Sequence, residues 1–223
     1  MKIVCIVGSP HGLNGNTFEL AKWVLEGAAR LGAEFEIALL DGLVLPCKGC
    51  DSCHRDGGCP QDDGFDALRA GIEEADGVLL ITPNYIESVS AQMKAFMDRC
   101  AGAIHRLAFA GKYGAAVVTS GGGVDQPIVD YLCRFLLMTG IRPVGGVHAA
   151  MASMPSGQFS TEVRERAVAL GEELVRAWEE GRVDPKVEQD MAVFRERMRQ
   201  LIVWRKDDWP YEYGYWQEHH GLA

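Results

Sequence analysis

Five short runs of this chain are apolar almost without interruption: KIVCIVG at 2–8, FEIALL at 35–40, GVLLIT at 77–82, YGAAVVT at 113–119 and IRPVGGVH at 141–148. A strand with one wet face alternates apolar and polar residues. A strand covered on both faces does not, because both sets of side chains leave water. Between the runs, segments 16–32, 63–76, 89–107 and 125–140 carry apolar residues at helical spacing. Strand, helix, strand repeated through residue 150 predicts right-handed crossovers and hence an α/β fold, a doubly wound parallel sheet of five strands. In the first crossover Phe18, Ala21, Val24, Leu25, Ala28 and Leu31 form one stripe, and Gly32 stands where a left-handed C-cap residue is wanted. That helix is therefore expected to start near Asn16.

A chain of 223 residues, 48% of them hydrophobic, suits one domain with its own core. Residues 1–181 are expected to form that domain, closing with a sheet-covering helix at 160–181. GRVDPK at 181–186 punctuates the chain, and 182–223 reads as an extension: an amphipathic helix over about 186–206, then an aromatic tail, DDWPYEYGYWQEHHGLA. For that tail two readings stand, docking at an oligomer interface or a strap across its own domain. No apolar run is long enough to span a membrane, and a strand-like segment follows Met1 at once, so a cytoplasmic protein is expected. A net charge of -9 repels phosphate backbones and anionic lipid, so neither nucleic acid nor membrane is an expected partner.

The loop after the first strand, GSPHGLNGNT at 8–17, leads into the N-terminus of the first helix, where unpaired N–H groups and the positive end of the helix dipole favour an anion. It lacks the Gly-Lys-Ser/Thr of a nucleotide-triphosphate loop and the G-x-G-x-x-G of a dinucleotide turn. What it offers is Ser9, Asn14, Asn16 and Thr17 without Lys or Arg, a neutral cradle suited to a monophosphate. Capping and turn formation alone would also account for these residues. Two further loops follow strand ends on the same edge, TPNYIES from Thr82 and TSGGGVDQP from Thr119. Pro83 and Tyr85 offer flat apolar walls, and Gly121, Gly122 and Gly123 allow close approach of a ring. A planar, monophosphorylated cofactor fits all three loops together.

Four of the seven cysteines lie in one segment, LPCKGCDSCHRDGGCPQDD at 45–63, as Cys47, Cys50, Cys53 and Cys59 with the spacing C-x2-C-x2-C-x5-C. In a reducing compartment, and with an odd total, clustered thiols favour a metal over disulfides. Two successive x2 gaps bring three thiolates to one centre, and the bend at Asp56, Gly57 and Gly58 lets the fourth close the cage. Structural zinc sites usually join two Cys pairs across a longer arm, so the compact loop favours a [4Fe-4S] cluster, with zinc and empty thiols as the other readings. His54, inside the loop, is expected to face solvent. Cys5, Cys100 and Cys133 are expected to be packed.

The three segments GSPHGLNGNT, TPNYIESVSAQMKAFMDR and KGCDSCHRDGGCPQDD together resemble the flavodoxin-like NADPH-dependent FMN reductase superfamily, and within it the iron-sulfur flavoproteins. The resemblance implies a sheet order of 2-1-3-4-5 and FMN as the cofactor. It places the phosphate on Ser9, Asn14, Asn16 and Thr17, and the ring against Pro83, Asn84, Tyr85, Ile86 and the loop Ser120, Gly121, Gly122, Gly123. His11 stands where relatives often carry arginine; it is read first as a surface histidine and second as a phosphate neighbour. A homodimer or homotetramer is implied, with the cysteine loop facing a neighbouring subunit. The expected function is a flavin-dependent oxidoreductase moving electrons between a ferredoxin-like one-electron donor and a two-electron acceptor, with no side chain assigned as catalytic. The alternative is a cluster-free FMN or quinone reductase using NAD(P)H as substrate. A zinc- or redox-sensing module is the non-enzymatic reading.

Overall fold

The computed structural model describes residues 1–152, 155 and 157–222. Its strands are β1 (Lys2–Val7), β2 (Glu34–Leu39), β3 (Gly77–Tyr85), β4 (Ser88–Val89), β5 (Tyr113–Ser120) and β6 (Arg142–Ala150). The sheet runs β2-β1-β3-β5-β6, all parallel, with β4 antiparallel to β3. Without β4 this is the order 2-1-3-4-5. The helices are α1 (Asn16–Arg30), α2 (Ser52–Arg55), α3 (Phe65–Glu74), α4 (Ala91–Arg99), α5 (Ala101–Arg106), α6 (Gln126–Thr139), α7 (Thr161–Glu179), α8 (Pro185–Trp204) and α9 (Pro210–His220).

The unbroken hydrophobicity of the central strands has the expected cause. Val4, Ile6, Val78, Leu80, Ala116 and Val118 join one core with α3, α4 and α6, while Ile3, Cys5, Val7, Leu79, Ile81, Ala115 and Val117 join a second with α1 and α7. Alternate residues of each strand thus enter opposite layers, both dry. α1 and α7 meet backbone to backbone. A Cβ on Gly171 would lie 1.9 Å from the Val24 carbonyl oxygen, and one on Gly27 would lie 2.0 Å from that of Val168. A third, smaller core of Leu107, Leu137, Phe194, Met198, Ile202 and Trp216 seats α8 and α9 against the ends of α5 and α6.

Helix α1 starts at Asn16 as expected, and Gly32 follows its end with φ +79°. Four elements differ from the sequence expectation. β3 continues to Tyr85 and turns back through Ile86 and Glu87, with φ +51° and +55°, into β4. Such a two-residue turn normally takes Asn-Gly or Gly-Gly, so Ile-Glu hides it. The helix expected over 89–107 breaks at Cys100 into α4 and α5, and the break brings Gly102 against the cysteine loop: a Cβ there would meet Cys53 Cβ at 3.1 Å. A single turn of helix, α2, forms within the cysteine loop after Asp51, whose φ is +60°. The aromatic tail is itself a helix, α9, begun by Pro210 in its first turn and ended by Gly221 in the left-handed region. Its aromatic residues lie on several faces rather than in one apolar stripe, so no amphipathic pattern marks it as a helix. No helix among the described residues is long and apolar enough to cross a membrane.

Candidate functional site

The three loops after β1, β3 and β5 converge on a cavity of about 310 Å³, lined by Ser9, His11, Asn14, Asn16, Thr17, Pro83, Asn84, Tyr85, Ser120 and Gly121 together with Gly15, Thr119 and Met151. Of the residues assigned from sequence, Ile86 lies at the fully exposed hairpin tip, Gly123 lines a neighbouring cavity, and Gly122 lines neither. Ser9 is buried and its Oγ accepts the His11 N–H at 3.2 Å, which shapes the turn. Asn16 Oδ1 accepts the Gly157 N–H at 2.8 Å, so this side chain also ties the cavity wall to the loop after β6.

Three features of this cavity escaped the sequence reading. Thr17 Oγ1 and Thr119 Oγ1 lie 2.6 Å apart, both residues buried, and so join the helix tip to the end of β5. Asp125, also buried, accepts from Asn84 Nδ2 and from Ser120 Oγ, both at 2.9 Å, which holds two wall residues in place. Ser90 donates its hydroxyl to the Gly8 carbonyl and accepts the Met93 N–H at 3.1 Å, so it caps α4 while fixing the first loop. Each has a partner far away in the chain that no local motif reveals.

The donor set fits a phosphate. α4, α7 and α8 are capped by the side chains of Ser90, Ser160 and Asp184, but the N-cap of α1 is Gly15, which supplies none. No N-cap side chain stands over the tip of α1, where the helix dipole favours an anion. Among the described residues no Lys or Arg lines the cavity. A phosphate's charge would be met there by N–H and O–H dipoles and the helix end.

Cys47, Cys50, Cys53 and Cys59 all line a second cavity of about 120 Å³, with Gln61, Asp98 and Arg99. Cys47 and Cys50 are exposed, while Cys53 and Cys59 are half-buried. Hydrogen bonding by the backbone and hydroxyl of Ser52 lowers the Cys50 thiol pKa. The loop is anchored by a buried ion pair: Arg99 Nη1 and Nη2 reach Asp63 Oδ2 and Oδ1 at 2.7 and 3.1 Å, with side chains 1% and 7% exposed. Arg99 also donates to the Leu45 carbonyl at 3.0 Å, and Asp63 accepts the Leu45 N–H at 2.9 Å, so the pair grips both ends of the segment carrying the thiols. Arg99 keeps its Nε buried without a partner among the described residues. Four soft donors around one cavity, with an unpaired N–H at its wall, fit a sulfur-rich metal centre. The other three cysteines do not share this setting. Burial pushes Cys5 and Cys133 up to about 12 and raises Cys100 as well.

His54 is buried rather than solvent-facing. Its Nδ1 lies 2.7 Å from Glu212 Oε1, and His105 Nδ1 lies 3.0 Å from Glu212 Oε2. The two rings stack at 4.4 Å within 20° of parallel, and Trp209 tilts over both. Burial works against a charged His54, but the Cys53 side chain and Glu212 outweigh it and raise the pKa to about 10. Among the described residues these three are also the group of donors close enough to hold one metal ion. Near-parallel rings, however, aim their in-plane nitrogens along nearly parallel lines. That suits the two oxygens of one carboxylate better than a single ion.

Comparison with known proteins places this geometry. Residues 1–163 match the family model for NADPH-dependent FMN reductase. An iron-sulfur flavoprotein of Archaeoglobus fulgidus is 33% identical over 98% of both chains. An iron-sulfur flavoprotein of Methanocaldococcus jannaschii is 36% identical over 65% of this chain and 76% of its own. Among solved structures, a flavone reductase superposes with a TM-score of 0.63 at 19% identity, covering 80% of this chain and 63% of that one. An NADH:FMN oxidoreductase does so with a TM-score of 0.58 at 22% identity, covering 83% and 92%. At these identities the structural likenesses speak to the fold.

Proposed function

The chain belongs to the NADPH-dependent FMN reductase family, and from that premise we propose that it is an iron-sulfur flavoprotein, carrying FMN in the first cavity and a [4Fe-4S] cluster on Cys47, Cys50, Cys53 and Cys59. The observation that carries the reading is the gathering of all four thiols around one cavity beside a buried cation. FMN would supply exchange of one or two electrons and the cluster exchange of one, so the pair suits transfer between a ferredoxin-like donor and a two-electron acceptor. The protein's own residues bind, orient and exclude water. The α1 tip with Ser9 and Thr17 would hold the phosphate, and Asp125 would keep Asn84 and Ser120 in register with the ring. The relatives named as iron-sulfur flavoproteins support the assignment, and the longest of these matches runs on through α8 and α9, beyond the reach of the reductase family model.

We also propose a homodimer or homotetramer. Leu13, Tyr85, Ile86 and Val124 stand 40%, 44%, 100% and 63% exposed on loops at the mouth of the FMN cavity, an apolar rim that a second copy would cover. Anaerobic purification followed by FMN, iron and acid-labile sulfide assays tests the main reading: about four irons and four sulfides per FMN are expected. FMN without iron or sulfide after reconstitution, with rapid flavin reduction by NADPH or NADH, would instead establish a cluster-free reductase, a reading that the independent construction of the FMN cavity keeps open.

A further inference from the structure

α9 arrives at the cysteine loop from the far end of the chain and buries a carboxylate there. Glu212 has no solvent exposure, a costly placement for a charge unless it is fully paired. Its two oxygens meet His54 on the cysteine loop and His105 on α5, while Arg106 Nη1 stands 4.0 Å away. Arg106 in turn donates to the Cys53 carbonyl at 3.0 Å and lies over the rings of Tyr211 and Tyr215 of α9. Gly57, at the loop's bend with φ +84°, is covered by the Tyr211 ring; a Cβ there would lie 2.3 Å from it. α9 is itself pinned by Trp216 Nε1 donating to the His105 carbonyl at 2.9 Å and by His220 Nε2 at 2.8 Å from that of Arg106.

We propose that α9 is a clamp for the cysteine loop, with Glu212 as its positioning residue: by holding His54 against His105 it fixes the backbone of Cys53 and thereby sets the four thiols for metal. A loop of short helix and glycines has little apolar burial of its own, so its order must come from such partners. The His54 and Glu212 atoms that meet are 158 residues apart in sequence, which makes the tail part of the site rather than an appendage. The metal arm of this inference rests on the proposed cluster; the loop-ordering arm does not.

The test compares the wild-type full chain with Glu212→Gln and His54→Phe, the second chosen because it keeps a ring between His105 and Trp209. In metal-free, FMN-bound protein, hydrogen exchange of amides 50–58 is expected to quicken at least tenfold in both variants, with strands β1, β3 and β5 and the FMN affinity unchanged. After anaerobic reconstitution, iron release to a chelator is expected to quicken by a similar factor. The double variant should lose no more than either single one, because both remove the same link. Wild-type exchange and wild-type iron release in a folded Glu212→Gln or His54→Phe protein would overturn the clamp, as would full additivity of the two losses. A wild-type protein that takes up no iron would overturn the proposed function, and the exchange measurement would still decide the clamp.

Discussion

Removing Asp63 is expected to cost more than any exposed ion pair in the molecule, and the reason can be worked from its surroundings. Burial alone would favour the neutral acid. The hydrogen bonds from Arg99, the N–H groups of Leu45 and Phe65 and the guanidinium charge outweigh it and bring the carboxyl down to about 2 from 3.8. A folded pKa below the unfolded one means that the folded state binds fewer protons. The stabilisation is therefore complete above about pH 4 and is lost as pH falls through about 2, and it amounts to about 2 kcal/mol. Truncation does more than protonation, because it strands the Arg99 guanidinium at 1% exposure with the Leu45 carbonyl as its remaining strong acceptor. Asp63→Ala should accordingly cost about 3–5 kcal/mol at pH 7. Urea unfolding of the metal-free, FMN-free protein at a series of pH values between 7 and 2 measures both quantities. The gap between wild type and variant should be widest at neutral pH and should shrink by about 2 kcal/mol toward pH 2. A loss below about 1 kcal/mol at pH 7, or a gap that does not change with pH, would refute the account of Asp63 as the anchor of the cysteine loop.

Gly171→Ala should destabilise the fold by about 3 kcal/mol or more, since its Cβ would sit 1.9 Å from the Val24 carbonyl oxygen on a facing helix; thermal unfolding that shifts only slightly would show that α1 and α7 can part easily. Thr17→Val removes the hydroxyl paired with Thr119 at 2.6 Å beside the helix tip and should weaken FMN binding about five- to tenfold, measured by quenching of flavin fluorescence. Thiol labelling of the native metal-free protein near pH 8 should modify Cys47 and Cys50 first and leave Cys5 and Cys100 untouched until denaturant is added, because burial raises the last two; equal labelling rates for all would contradict the burial.

How much of this was legible depended on the range over which each residue acts. The central strands announced themselves because two dry faces leave a run such as Val78 to Ile81 with nothing polar in it. The α1 tip was legible because one short polar loop, 8–17, joins the first strand to the first helix, and the four thiols because they fall within one short segment. Thr119, Asp125, Arg99 and Glu212 were not. Each is an ordinary polar residue in its own neighbourhood, and its role appears once the fold sets it against a partner such as Thr17, Asn84, Asp63 or His54. His54 shows the cost of local reading. Four thiols beside it left the imidazole no evident task, whereas its partner waits in a helix at the other end of the chain.

The same kind of long-range contact links the two cavities. α4 is capped by Ser90, whose hydroxyl holds the Gly8 carbonyl of the first loop, and ends at Arg99, whose guanidinium grips the cysteine loop. Nine residues of helical rise separate the two anchors, about 13 Å, and a helix keeps that spacing rigid. The loops at its two ends carry different donors, one neutral N–H and O–H groups suited to a phosphate, the other thiols beside a buried cation, suited to a metal centre. Their separation is set by α4, buried through Met93, Phe96 and Met97 in the core between them.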